Sequence, residues 1–216
     1  RYSIEEKGLI YAGGEFDSSK YGRFPADDDA IIPITDEAYF DDDIVGRFEE
    51  FIKTVYGAKS LESNLNYISE ALGTKGTTAR EKIRNYFLKD FFKDHCNTYS
   101  VTGSGKRPIY WLFDSGKQDG FKALVYMHRY DENTIGNLRI DYLHRMERVY
   151  DNEIARMQDI IDNSKVAREV TQATKRREKL QKQLKECKEY DERIAHIALA
   201  RISIDLDDGV KKNYVI

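Results

Sequence analysis

Ten positions between 166 and 198 limit what this chain can fold into more than any other feature. Positions 166, 170, 173, 177, 180, 184, 187, 191, 194 and 198 follow one another in alternating steps of four and three. They hold Val, Val, Ala, Arg, Leu, Leu, Cys, Asp, Ile and Ala. Steps averaging three and a half residues keep one stripe of a helix facing a neighbour, so the pattern predicts a coiled-coil seam. Upstream, Leu138, Tyr142, Val149, Ile154, Met157 and Ile161 mark a second amphipathic helix from about Thr134 to Asp162, and Asn163-Ser164 interrupts the periodicity. Each helix would be roughly 45 Å long at 1.5 Å per residue. A turn at the break lays the second back along the first as an antiparallel helical hairpin. Arg177 and Asp191 break the apolar seam. They are expected to set its register, although exposure at the hairpin tip explains Arg177 equally well.

The rest of the chain reads differently. Residues 1–40 carry Gly13-Gly14, Pro25, Asp27-Asp28-Asp29 and Pro33, an irregular lead-in with "AIIPI" as a possible short strand. From Asp42 to Tyr56, Ile44, Val45, Phe48, Phe51, Ile52, Val55 and Tyr56 recur at helical spacing, with Asp41–Asp43 at the electropositive start and Gly57 at the end. A second helix is expected over Leu61–Leu72, stopped by Gly73. A third begins at Thr78, whose partner Glu81 completes a capping box, and carries Ile83, Tyr86, Phe87 and Phe91. Two aromatic strands follow, Ile109–Phe113 and Phe121–Met127, joined by the turn-forming "DSGKQDG". Both faces of each strand are apolar, which demands cover on both sides. The fold class expected is α+β, mostly α: a small helical bundle with an aromatic β-hairpin over 1–130, then the long antiparallel coiled-coil hairpin with a short strand-like tail over 131–216.

Charge is unevenly placed. Residues 1–50 hold 14 acidic and 5 basic side chains, net −9, whereas residues 51–216 hold 24 and 30, net +6. A basic body is compatible with a nucleic-acid partner without requiring one. The 34% charged fraction suits a long solvated helical element. No apolar run approaches the roughly eighteen residues of a membrane span, and no signal peptide is recognisable, so a cytoplasmic protein without membrane contact is expected. Beginning at Arg1 and ending on Val215-Ile216, the chain reads as an excised fragment.

Reactive constellations are scarce. "GSGK" at 103–106 is followed by Arg107-Pro108 and a strand, and position 100 is Ser. A phosphate-binding loop needs a glycine there, a Ser or Thr after the lysine, and a helix next. Cys96 and Cys187 are far apart, and the four histidines lack metal-ligand spacing. Asp27–Asp29 and Asp41–Asp43 lack the spaced ligands of a calcium loop, so no metal is assigned. Trp111, Phe113, Phe121, Leu124 and Tyr126 read first as core and second as a base-stacking platform. Lys106, Arg107, Lys117, Lys122 and Arg129 fringe the hairpin, and Lys175, Arg176 and Arg177 lie in the mostly solvated run "KRREKLQKQLKECKEY". These eight are the candidate nucleic-acid-binding residues.

Four segments, "RYSIEEKGLIYAGGEFD", "FPADDDAIIPITDEAYFDDDIVGRFEEFIKTVYG", "KRPIYWLFDSGKQDGFKALVYMHRY" and "IDLDDGVKKNY", together resemble the C-terminal part of the PglX family, the adenine-specific DNA methyltransferases of BREX-type phage defence. The resemblance covers well over half the chain in family order. It implies a fragment that follows a methyltransferase core and serves beside DNA recognition. Its implied partners are double-stranded DNA, the rest of the methyltransferase chain and other defence-system subunits, with S-adenosylmethionine expected for the intact parent and no cofactor in the fragment. The motifs of methyl transfer are missing here. Such an enzyme needs a glycine-rich turn for the methyl donor and an [Asn/Asp/Ser]-Pro-Pro-[Tyr/Phe] loop for the extruded base. Pro25, Pro33 and Pro108 are nowhere adjacent, and Gly13-Gly14 has no third glycine. No catalytic residue is assigned. The alternative expectation is a protein-interaction module whose seam, at Val166, Val170, Leu180 and Ile194, seeks another subunit.

Overall fold

The computed structural model describes Phe24 and residues 27–204, apart from 102–104 and 107. In chain order the elements are β1 (Ile31–Ile34), α1 (Ile44–Tyr56), α2 (Leu61–Leu72), α3 (Ala79–Lys89), α4 (Phe91–Thr98), the short ladder β2 (Ser100–Val101) with β3 (Gly105–Lys106), β4 (Tyr110–Asp114), β5 (Lys122–Tyr126), α5 (Thr134–Asn137), a π-helical stretch (Leu138–Leu143), α6 (His144–Asn163) and α7 (Ala167–Ala200). The class is α+β, mostly α.

A three-stranded antiparallel sheet, ordered β1-β5-β4, lies between two groups of helices. Side chains alternate across a strand with period two, and the apolar residues divide accordingly. Ile31, Trp111, Phe113, Ala123 and Val125 pack toward Leu138 and Leu143 of the π-helical stretch and Met146, Tyr150, Leu180 and Cys187 of the long helices. Ile32, Ile34, Tyr110, Leu112 and Leu124 pack toward Ile44, Val45, Phe87, Leu88, Phe91 and Phe92. This is why both faces of the hairpin had to be apolar. A smaller core joins α1, α2 and α3 through Ile52, Leu61, Leu65 and Ile83, and Phe87 belongs to both. Each fully buried large side chain contributes about 1.5–3 kcal/mol.

One expectation is extended and one changes. The short strand expected within "AIIPI" is present as Ile31–Ile34, and it pairs with β5 through Ile31↔Val125 and Ile34↔Lys122 to supply the sheet's third strand, a partnership the sequence did not indicate. A separate helix, α4, follows α3 after Asp90. Its aromatic residues looked like a continuation of α3, because periodicity cannot register a break of a single residue. The helix starts are as the sequence indicated. The Asp43 carboxylate accepts from Gly46 N at 2.8 Å, and Thr78 and Glu81 form a reciprocal capping box.

α6 and α7 run antiparallel. Arg177 reaches Gln158, Arg176 reaches Glu153, and Asp191 meets His144 and Arg139, so later residues of one helix face earlier residues of the other. Both polar interruptions of the seam therefore have partners across the hairpin. Asp191 accepts from Arg139 Nε at 2.5 Å and Nη2 at 2.9 Å, and its Oδ1 lies 3.0 Å from His144 Nε2. Arg139 stands on the π-helical stretch, where one extra residue per turn re-aims the side chains that follow. The hydrogen bonds from Arg139 hold the Asp191 carboxyl below the usual carboxylate range.

A carboxylate depressed in the folded state contributes stability above its unfolded pKa of about 3.9, and that contribution is lost as pH falls through the folded value. Asp191→Asn is therefore expected to lower stability at pH 7 and to lose its disadvantage as the pH drops below about 4. Urea unfolding of both proteins across this range tests it. A difference that is the same at every pH would refute the assignment.

The buried stripe of α7 is not quite the expected seam. Ala173, Leu180, Cys187 and Ile194 are buried, but so are Gln183 and Tyr190, whereas Arg177, Leu184 and Asp191 lie at the margin. α7 packs on α6 and on the β4–β5 loop together, with Gly120 lying against Gln183 and Cys187, so its inward face includes Gln183 and Tyr190. Gln183 is fully buried, and its amide donates to Asp36 Oδ2 at 3.1 Å and Asp119 O at 3.3 Å.

Candidate nucleic-acid interface

The loop between β4 and β5 is built onto α7 by one carboxylate. Glu186 Oε1 accepts from Ser115 Oγ at 2.8 Å and Gly120 N at 3.0 Å, and Oε2 accepts from Gln118 N at 2.8 Å. Ser115 Oγ in turn accepts from Phe121 N at 2.8 Å, Tyr150 OH donates to Gly120 O at 2.8 Å, and Arg193 donates to Ser115 O at 2.8 Å. Gly116 has φ +145°. A side chain there would be strained and would begin 2.8 Å from Glu186 Oε2. This turn chemistry, legible in "DSGKQDG", fixes the loop and leaves Lys117 exposed at its tip.

Lys117 is thereby brought beside Lys182 and Lys185 of α7. The three line a depression of about 330 Å³ with Gln118, Glu186 and Glu189. Among the described residues Lys117 and Lys182 make no ion pair, and Lys185 lies 3.7 Å from Glu189. Lys182 and Lys185 were missed as candidates. Their helix reads as a solvated face of alternating sign, and nothing local signals that a loop more than sixty residues earlier docks on it.

The other candidate residues scatter. Lys175 is exposed on α7, seven residues before Lys182 and so roughly 10 Å along the axis. Arg176 forms a bidentate pair with Glu37, which raises its already high pKa, and Arg177 is engaged by Gln158. Arg129 donates to the carbonyls of Asp27 at 2.6 Å and Asp28 at 2.7 Å. Lys122 is only 8% exposed. Its ammonium lies 2.8 Å from Asp119 and 3.3 Å from Asp114, and donates to Leu88 O at 3.2 Å. Burial works against this charge, but the two carboxylates outweigh it and hold the lysine above its usual pKa. Lys122 is therefore a structural cation, not a surface one. The side chain of Lys106, and Arg107 altogether, lie outside the described residues.

The aromatic set is mostly internal. Phe121 and Leu124 are fully buried, and Trp111 packs edge-on against Tyr130 at 5.1 Å. Of the seam residues considered open to a partner, Leu180 and Ile194 are buried within the chain, and Val166 is exposed. Among the described residues no three His, Cys, Asp or Glu side chains are placed to hold a metal ion, and no helix is long and apolar enough to cross a membrane.

No family model matches the chain. It is 43% identical over 217 aligned residues to the adenine-specific methyltransferase PglX of Lacticaseibacillus casei (strain Zhang), an alignment covering 99% of this chain and 18% of that protein. The chain is homologous to a segment of the PglX-type methyltransferases. A second such protein, the adenine-specific methyltransferase BrxX of Escherichia coli O9:H4 (strain HS), is 41% identical over 227 residues, again across 99% of this chain and 18% of the relative. The chain thus spans about a fifth of the length of the PglX-type proteins it matches. The aligned span takes in the loop, the sheet and the long hairpin.

Proposed function

We propose that this segment is a non-catalytic DNA-engaging and scaffolding module of an adenine-specific DNA methyltransferase of BREX-type phage defence. The observation that carries the reading is identity above 40% across 99% of the chain to two proteins named adenine-specific methyltransferases. The residues present suit binding rather than methyl transfer. The prolines are never adjacent, and the described glycines of the β4–β5 turn face Glu186 instead of opening a helix that could hold a methyl donor. The donor and base-binding groups then belong to the remainder of the methyltransferase chain. What this segment offers is a rigid sheet held between helices, carrying lysines at the loop tip and along α7. Lysine ammonium groups are point charges suited to phosphates, so the contacts would position the duplex without reading its bases.

The test is duplex binding by the full methyltransferase chain and by the same chain lacking this segment, followed by fluorescence anisotropy at 50 mM and 200 mM salt. Removal is expected to weaken binding at least tenfold and to flatten the salt dependence. Equal affinity and equal salt dependence would overturn the proposal.

A further inference from the structure

Resting on that reading, we infer that the notch between the β4–β5 loop and α7, framed by Lys117, Lys182 and Lys185, seats one backbone phosphate of the duplex. Three observations converge on it. The three lysines line one depression of about 330 Å³, ample for a phosphate group with bridging water. The loop half of the notch is held in place, since Glu186 takes three hydrogen bonds from Ser115, Gln118 and Gly120, and Tyr150 and Arg193 clamp the main chain at Gly120 and Ser115. Two of the three cations are also unpaired: Lys117 and Lys182 make no ion pair among the described residues, in contrast to Lys89, Lys122, Lys179, Arg80, Arg84, Arg139 and Arg176.

Charge balance at the notch leaves a positive excess. Two carboxylates, Glu186 and Glu189, face three ammonium groups, and the Glu186 oxygens already accept from the loop. An incoming phosphate therefore meets lysines rooted on a fixed frame, with the three exposed side chains left to order. No arginine fork lines the notch, so contact there should be blind to sequence. Glu186 acts as a positioning residue for Lys117.

The experiment uses the full methyltransferase chain, a fluorescent duplex containing its recognition site, and a scrambled duplex of equal length. The K117Q/K182Q/K185Q variant is expected to bind both duplexes about eightfold to tenfold more weakly at 0.1 M salt, with the slope of log affinity against log salt reduced by about one. Its thermal unfolding should match that of the parent, and K117R/K182R/K185R should restore the slope. A control with the same charge change on the far side, K53Q/K59Q/K75Q, should bind like the parent.

Retention of the parental slope by the glutamine variant would overturn the notch while leaving the DNA-engaging reading intact. So would an equal loss in the control, because it would reduce the effect to net charge. A parent chain whose duplex binding does not depend on this segment at all would instead remove the reading on which the notch rests.

Discussion

Replacing Asp43 with alanine is expected to destabilise the fold by about 4 kcal/mol, the cost typical of leaving one member of a buried ion pair without its partner, together with loss of a helix cap. Asp43 is 1% exposed. One of its oxygens accepts from Gly46 N and caps α1, while the other pairs with Arg84 of α3. Arg84 also donates to Thr35 O at 3.1 Å and Glu37 O at 3.2 Å, so a single guanidinium joins α3 to the chain between β1 and α1. Without Asp43 that guanidinium stays largely buried and loses its counter-charge. Urea denaturation measures the change, and a loss below about 1 kcal/mol, the scale of a cap alone, would show that the pair is not coupled to the fold. The double variant Asp43→Ala/Arg84→Met should recover part of the loss, because removing both charges leaves none uncompensated.

A valine at position 120 is the second change expected to do serious damage, on the order of 3 kcal/mol. The Cβ of any side chain at Gly120 would begin 2.7 Å from the main-chain oxygen of Gln183 and 3.1 Å from Cys187 Sγ. A helix carbonyl cannot yield as a flexible side chain can, so the loop must lift off α7. The hydrogen bonds of Gly120 to Glu186 and Tyr150 would go with it. The variant should therefore lose stability and, under the proposed DNA-engaging role, show in the full-length protein the same flattened salt dependence as the lysine-notch variant. Parental stability would refute the close packing of loop and helix. A destabilised variant whose salt slope remains parental would separate that packing from phosphate contact.

Much of the architecture was legible because it depends on local periodicity and capping. The 13-residue α1 and 12-residue α2 end at Tyr56 and Leu72, as the glycines after them indicate, and Thr78 with Glu81 marks the start of α3. Apolar residues on both faces of β4 and β5 foretold cover on both sides. The β1 pairing was less visible, since four residues containing a proline carry almost no periodic signal. Its partner lies some ninety positions away.

The candidate interface was legible only in part. Lys117 and Lys175 are exposed cations, as a basic fringe requires, but charge in a sequence does not reveal which cations are already paired. Glu37 takes Arg176, Asp119 and Asp114 take Lys122, and the carbonyls of Asp27 and Asp28 take Arg129. Among the described residues, five acidic side chains of the first fifty, Asp27, Asp36, Glu37, Asp43 and Glu49, pair with cations beyond residue 50. Asp36 pairs with Lys179 and Asp43 with Arg84, so the opposed net charges of the two parts of the chain are internally complementary.

By itself, then, the sequence determined the helices, their caps, the aromatic hairpin and the kinship with PglX-type methyltransferases, because each is written in nearby residues or in direct identity. Only the tertiary structure decided which way α7 faces, which lysines remain open and where the β4–β5 loop rests. Those outcomes depend on the burial of Gln183 and Tyr190 and on the reach of Glu186, contacts between distant residues for which no local pattern exists.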